Sequence, residues 1–285
     1  VLENISRRKA QYFTPVKAGF KSKSLIELNG YRALTAFLIC GTVFFISFLF
    51  PVLQMMYWTI IFPKHLIDLK ITELFLNTIL LVVLASSVLI LFAFISNFGN
   101  RVTKSKFLNF LTTFSVCGYA IPGVILAVAY ISFVSWFDNN FISFFEIKSI
   151  KSIFIGSIVG LVLVYFVRFY SLASNGIKSG YLKINYSIDE SSYLLGYSKL
   201  KTFLNIHVPY LKNSVLLIGI LIAIEIIKEL PITLILRPFN FETFATQAYI
   251  FASQDLLEAA AAPSLFLIII ASLFILTTYR YILKD

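Results

Sequence analysis

Four long stretches of this sequence carry no charged residue, and they constrain the fold more than any other feature. The stretches are 33–63, 74–100, 107–137 and 259–279. Each is longer than the roughly 20 residues that an α-helix needs to cross the hydrocarbon core of a bilayer. Only 13% of the 285 residues are charged, whereas soluble domains carry about 25%. The sequence therefore predicts an all-α integral membrane protein.

Six membrane-spanning helices are predicted from these stretches and from two further apolar segments. The predicted spans are 33–61, 73–97, 107–137, 152–174, 211–230 and 259–282. Proline is expected to kink the first span at Pro51 and to break the third at Pro122 and Gly123. We expect one transmembrane domain over 33–285, preceded by a basic lead-in over 1–32.

Lys and Arg are distributed unevenly along the chain, whose net charge is +10. Seventeen lie in the lead-in, in 98–106, in 175–212 and at the C-terminal end, and five lie in 62–72, 138–151 and 231–258. Because cytoplasmic loops are enriched in Lys and Arg, both termini and 175–212 are predicted to be cytoplasmic and 231–258 periplasmic. This distribution argues against a nucleic-acid partner, and the lead-in is suited to anionic lipid. The chain starts at Val1 rather than Met, so a fragment or a trimmed product is expected. The first 32 residues are basic and broken by Pro15 and Gly19, so no cleavable signal peptide is predicted.

A polar loop between the predicted fourth and fifth spans is too charged to cross a bilayer. Ser187 followed by Glu190 has the spacing of a capping box, so a helix is predicted to start at Ser187. Gly196 suits the left-handed residue that ends a helix. Ser198 is predicted to cap a second short helix, and Pro209 to end it. The loop is therefore expected to form two short helices joined at Gly196.

The same loop resembles the EAA loop of ABC importer permeases. That pattern is Glu-Ala-Ala, three residues, Gly, nine residues, then Ile-x-Leu-Pro. The matching residues are Glu190, Ser191, Ser192, Gly196, Ile206 and Pro209, with two serines in place of alanines and Val208 in place of leucine. The resemblance implies that residues 187–209, beginning at Ser187, dock on a cytoplasmic ATP-binding subunit. The alternative interpretation is an amphipathic connector on the membrane surface.

Residues 228–249 and the N-terminal run around the first span resemble the ferric-iron members of this family more narrowly. The resemblance implies a type I ABC importer permease of the bacterial inner membrane, the C-terminal half of a fused two-half protein. It also implies a second permease half, a periplasmic ferric-iron-binding protein, and ATP and Mg held by the partner ATPase, with no cofactor in this chain. Permeases for thiamine, polyamines, sulfate or phosphonates share the loop and remain alternatives.

Charged residues inside the predicted spans are candidates for the transport pathway or a gate, because burying charge in a bilayer is costly. Arg168 is predicted near the cytoplasmic side, at the inner mouth of the pathway or reaching the headgroups. Glu225, Lys228 and Glu229 share one helix face, predicted in the outer part of the membrane. They are expected to face a water-filled cavity or the partner half, or else to form an internal salt bridge. Because Arg168 and Glu225 are predicted at opposite depths in the membrane, they are not expected to form an ion pair.

Two other classes of membrane protein fit the sequence less well. A secondary transporter driven by an ion gradient needs coupling-ion residues near the midplane, where this sequence has little charge. A membrane enzyme needs a catalytic pair or a metal motif inside the spans, and the sequence has neither, so a non-catalytic subunit without a metal is expected. His65 and His207 are isolated and predicted to be loop or surface residues. Cys40 and Cys117 are predicted to be small core residues.

Overall fold

A computed structural model describes residues 28–67, 69–103, 105–145 and 154–282, and within these ranges it contains helices and no strand. The all-α prediction is therefore confirmed. Most of the basic lead-in lies outside the described residues. The helices are α1 (Tyr31–Phe44), α2 (Phe50–Ile61), α3 (Pro63–Ile67), α4 (Ile71–Thr103), α5 (Lys106–Ser115), α6 (Gly123–Phe145), α7 (Ile158–Tyr181), α8 (Tyr186–Leu194), α9 (Lys199–Thr202), α10 (Val208–Ile227), α11 (Pro231–Leu236), α12 (Phe244–Ser253) and α13 (Leu257–Ile282).

Five helical runs in the described residues are long and apolar enough to cross a bilayer, and a bent pair brings the number to six. The five runs are Tyr31–Ile61, Ile71–Thr103, Ile158–Tyr181, Lys199–Ile227 and Leu257–Thr278. The sixth candidate is Lys106–Ala120 with Gly123–Asp138, bent by 115°. The prediction of about six spans is thus confirmed, and the length and composition of these helices are those of a multi-pass membrane protein.

The chain divides into two compact units, Val1–Pro51 and Val52–Asp285. In the described part of the first unit, α1 has no buried residue and leads into a π-helical turn, Phe45–Leu49. This turn lies directly before Pro51, where the sequence predicted a kink. A π-turn is a common way for a helix to absorb an irregularity of this kind.

The second unit has its core where α4, α7 and α10 pack together. Tyr165, Phe169 and Leu89 are almost completely buried there. Two glycines of α7 allow the close approach of α10: a Cβ atom on Gly176 would lie 2.5 Å from the Ile218 side chain, and α10 is similarly close at Gly180. Small residues commonly let membrane helices pack at short range in this way.

The fourth span lies later in the chain than predicted. The sequence suggested 152–174, whereas α7 runs from Ile158 to Tyr181. Its start is fixed by Ser157, whose side-chain oxygen accepts from the backbone N–H of Gly160. This shift changes the depth of every residue in the span, Arg168 included.

The third span is broken where the sequence predicted. A 3₁₀ turn, Val116–Ala120, ends α5, and α6 begins at Gly123 after Pro122. The turn packs closely against α7, because a Cβ atom on Gly118 would lie 2.1 Å from the carbonyl oxygen of Val167. The break therefore places irregular backbone beside the middle of α7.

Candidate functional site

The polar loop begins with a helix, but not at the residue predicted. α8 starts at Tyr186, and its N-cap is Asn185, whose side-chain oxygen accepts from the backbone N–H of Ser187. The predicted capping box of Ser187 with Glu190 is therefore wrong. Ser187 lies inside the helix, where its carbonyl accepts from the Ser191 hydroxyl. Asn is as good an N-cap as Ser, so capping preference alone does not distinguish Asn185 from Ser187.

Gly196 ends α8 as predicted. Its φ is +83°, in the left-handed region. The N–H of Gly196 bonds the carbonyl of Tyr193, and the N–H of Tyr197 bonds that of Ser192. These two bonds form a Schellman motif, which closes the last turn of the helix at a residue that glycine tolerates best.

The second half of the loop differs from the prediction. Ser198 caps α9 by accepting from the N–H of Lys201, as expected. Pro209 does not end this helix. After a π-helical turn, Phe203–His207, the chain continues into α10, with Pro209 in its first turn. A proline is tolerated there because the π-turn interrupts the regular hydrogen-bond register. The second short helix is thus the beginning of the fifth span.

The loop presents exposed leucines to its surroundings. Five of them, here called the leucine group, are Leu182 (82% exposed), Leu194 (89%), Leu195 (78%), Leu200 (64%) and Leu204 (53%). Lys183, Glu190 and Lys199 are interleaved with them in the sequence. Exposed apolar side chains with charged neighbours are typical of a protein interaction surface, so the leucine group is suited to a protein partner.

The residues of the family-like pattern divide between the surface and the interior of the loop. Glu190, Ser191 and Gly196 are exposed, as is Pro209. Ser192 is buried, and its hydroxyl lies 2.8 Å from that of Thr202 in α9. Ile206 is half-buried.

Beside the leucine group, the environment of Tyr193 favours its neutral form. Burial, with the nearby Asp189 carboxylate, raises the pKa of the Tyr193 phenol above its usual range. The side chain therefore stays uncharged well above physiological pH.

A buried polar cluster under α8 was not predicted. Asp189 as a whole residue is 7% exposed, and its carboxylate accepts hydrogen bonds from two sides. Arg101 Nε, at the end of α4, lies 2.7 Å from one carboxylate oxygen, and His207 Nε2 lies 2.7 Å from the other. His207 is completely buried, so its prediction as a loop or surface residue is wrong.

Aromatic rings and carbonyls complete the surroundings of this cluster. The Arg101 guanidinium lies 4.3 Å from the ring centre of Tyr186 and donates to the backbone carbonyls of Ile184 and Asn185. The rings of Phe98 and Tyr181 meet His207 edge to face. These contacts fix the cluster at the junction of α4, α7, α8 and α10. The one local signal was a charged residue, Asp189, inside a short helix.

The second group of candidate residues, inside the membrane, is arranged differently from the prediction. Arg168 Nε lies 3.4 Å from the Glu229 carboxylate. The sequence placed these residues at opposite depths, and that depth assignment is wrong. Because α7 begins at Ile158, Arg168 lies only ten residues into the helix, about 15 Å along its axis. Glu229 lies past the end of α10, where the chain turns into α11.

The Arg168–Glu229 pair joins the broken third span to the corner between α10 and α11. Arg168 also donates to the carbonyl of Ile121 at the break, at 3.0 Å. Glu229 accepts from the N–H of Ile232 at 3.4 Å. A Cβ atom on Gly123 would lie 2.8 Å from a Glu229 oxygen, so a larger residue there would have to displace the ion pair. The pair thus binds the backbone at the break on one side and at the N-terminus of α11 on the other.

Glu225 and Lys228 form a separate ion pair of 2.7 Å. The Lys228 side chain is 62% exposed and that of Glu225 27%. This is the internal salt bridge that the sequence allowed as an alternative. The described contacts of Arg168 go to Glu229 and Ile121 rather than to Glu225.

The described residues contain no group of three or more His, Cys, Asp or Glu side chains arranged to hold a metal ion. Cys40 and Cys117 are both exposed, so their prediction as core residues is wrong. Their apolar surroundings in the sequence suit exposure toward lipid or another membrane helix.

Comparison with known sequences gives one distant relative. No family model matches the chain. It is 26% identical over 153 residues to the molybdate/tungstate transport system permease protein WtpB of Methanocaldococcus jannaschii. The alignment covers 54% of this chain and 59% of the relative, so the chain matches little more than half of that protein.

Comparison with solved structures identifies the fold. The chain superimposes on a bacterial ABC transporter involved in the import of the acidic polysaccharide alginate, with a TM-score of 0.67 over 87% of this chain and 94% of the other. A second structure is that of a bacterial alginate ABC transporter in complex with alginate pentasaccharide-bound periplasmic protein. It gives a TM-score of 0.70 over 86% of this chain and 92% of the other. Sequence identity is 17% in both. The chain therefore has the fold of an ABC importer permease.

Proposed function

We propose that this chain is a membrane-spanning permease subunit of an ATP-driven importer and that α8 docks on a cytoplasmic ATP-binding subunit. The observation that carries the proposal is the leucine group, which is exposed on a charged loop. Buried ion pairs connect this loop to the ends of the span helices. The permease fold and the permease relative support it. The chain itself carries out no bond chemistry in this proposal.

The proposed orientation places the loop and both termini in the cytoplasm. Its support is the excess of Lys and Arg in the segments on that side. The ATP-binding subunits bind ATP and Mg, close on each other, and move α8. A second permease half, fused or separate, completes the pathway, and a periplasmic binding protein delivers the substrate. Alternating access follows when the span helices move with α8.

For the substrate we propose ferric iron, supported by the resemblance of residues 228–249 to ferric-iron permeases. A second candidate is an oxyanion, because the relative from Methanocaldococcus jannaschii is a molybdate/tungstate permease. The intramembrane candidates Arg168, Glu225, Lys228 and Glu229 are proposed to lie beside the pathway or its gate. Weak contacts suit a pathway, since tight binding would slow release.

Substrate uptake by membrane vesicles containing the complete transporter tests this proposal. We expect ATP-dependent accumulation of radiolabelled ferric iron at least tenfold above that of molybdate, thiamine or spermidine. Vesicles carrying ADP in place of ATP serve as the control. Accumulation of molybdate without iron would replace the proposed substrate by the oxyanion. Accumulation of none of these compounds would contradict both substrate proposals.

A further inference from the structure

The buried Asp189 links the proposed docking helix to two different span helices. Its two carboxylate oxygens are used separately: one accepts from Arg101 at the end of α4, and the other from His207 before α10, each at 2.7 Å. Since a carboxylate has no hydrogen to give, both partners donate. Asp189 is the only residue of α8 with an ion pair to either helix among the residues that the structure describes.

The surroundings make this link stiff. The side chains of Arg101 and Asp189 are 7% and 10% exposed, and that of His207 is completely buried. Arg101 also donates to the carbonyls of Ile184 and Asn185, which lead into α8. Charge-assisted hydrogen bonds of this kind are short, strong and directional, and low exposure protects them from screening by water and salt.

The opposite face of α8 has a different character. Glu190 is exposed, and Leu194 and Leu195 at its end belong to the leucine group. A partner that binds this face makes no contact with Asp189, which lies beneath the helix. Binding and transmission are therefore assigned to separate residues, so each can be disrupted alone.

We propose that Asp189 is a positioning residue that transmits movement of α8 to the second and fifth spans through Arg101 and His207. This inference rests on the proposed function for its coupling role, since the movement of α8 is supplied by the ATP-binding subunit. The link itself is a property of the chain alone. When α8 is displaced, the Asp189–Arg101 and Asp189–His207 bonds move the second and fifth spans together with it.

Asp189→Asn is the variant that tests this link. The asparagine side chain has nearly the same shape as aspartate but offers one acceptor oxygen in place of two. Its NH₂ group would face the hydrogen-bond donor of either Arg101 or His207. Either Arg101 or His207 then loses its acceptor. We expect hydrogen exchange of the backbone amides of α8 to become at least tenfold faster in the purified permease. Arg101→Gln cuts the same link from the other side and should give the same result. Lys183→Gln, which neutralises an exposed charge in the same connector, should leave the exchange unchanged.

A second readout separates transmission from folding. In vesicles with the complete transporter, we expect Asp189→Asn to reduce the number of substrate molecules moved per ATP hydrolysed at least tenfold, while the ATP-binding subunit stays bound. A purely structural role would lower transport and hydrolysis in proportion and leave their ratio unchanged. An unchanged ratio, or α8 exchange equal to that of Lys183→Gln, would overturn the inference. If the wild-type vesicles show no ATP-driven transport, the proposed function fails, and the exchange measurement still decides whether the link exists.

Discussion

Glu229→Gln is expected to destabilise the membrane domain by about 3 kcal/mol, the range for breaking a buried ion pair from one side. The variant leaves the Arg168 guanidinium, whose side chain is 21% exposed, without its carboxylate beside the break in the third span. Arg cannot lose its proton at physiological pH, so the charge stays. The measurement is the free energy of unfolding of the purified chain in detergent.

Removing both charges should be milder than removing one. In Glu229→Gln with Arg168→Gln no unpaired charge remains, so we expect the double variant to recover about half of the lost stability. The matched control is Glu225→Gln, whose partner Lys228 is 62% exposed although the pair is shorter, at 2.7 Å. Exposed pairs contribute less than about 1 kcal/mol. Equal losses for Glu229→Gln and Glu225→Gln would show that the Arg168–Glu229 pair does not hold the break.

The second large effect is expected at the leucine group. Leu194→Asp should weaken binding of the ATP-binding subunit at least tenfold, because central apolar contacts contribute about 2 kcal/mol or more in many interfaces. Leu194 is 89% exposed, so the substitution costs little in the unbound chain. The loss is therefore expected in binding and not in stability. The measurement is the affinity of the purified subunit for the permease in nanodiscs.

Ser179→Asp is the control for the added charge. Ser179 is exposed near the end of α7, before the loop, and its substitution removes no leucine. We expect the affinity of the ATP-binding subunit for the Ser179→Asp permease to stay within about twofold of the wild type, since an isolated surface charge has a small effect. Unchanged affinity in both Leu194→Asp and Leu195→Asp would place the docking surface elsewhere.

The features that could be predicted from the sequence are those with a local cause. Long uncharged stretches indicated the spans, Pro122 and Gly123 the break, and Gly196 the end of α8. Each depends on the chemistry of a few adjacent residues. The N-terminus of α8 was wrongly predicted at Ser187, because Asn185 is an equally good cap and the structure uses it.

The features that the sequence could not reveal depend on contacts between distant segments. The Arg168–Glu229 pair and the pairing of Asp189 with His207 join separate helices. The depth of Arg168 was wrong because a six-residue error at the start of the fourth span moves it by about 9 Å, roughly a third of the hydrocarbon thickness. Pro209 was expected to end a helix, and a π-turn before it allowed the helix to continue. Local preference gives no information about such compensation.

The central claim is that ATP, and not an ion gradient, drives transport through this chain by way of α8. The most direct measurement is substrate uptake by sealed vesicles containing the complete transporter, with the membrane potential and ion gradients collapsed by ionophores. We predict that uptake continues when ATP is supplied on the side of α8, stops with ADP, and falls with the Leu194→Asp chain. Uptake that requires an ion gradient and proceeds without ATP would contradict the claim and identify a secondary transporter instead.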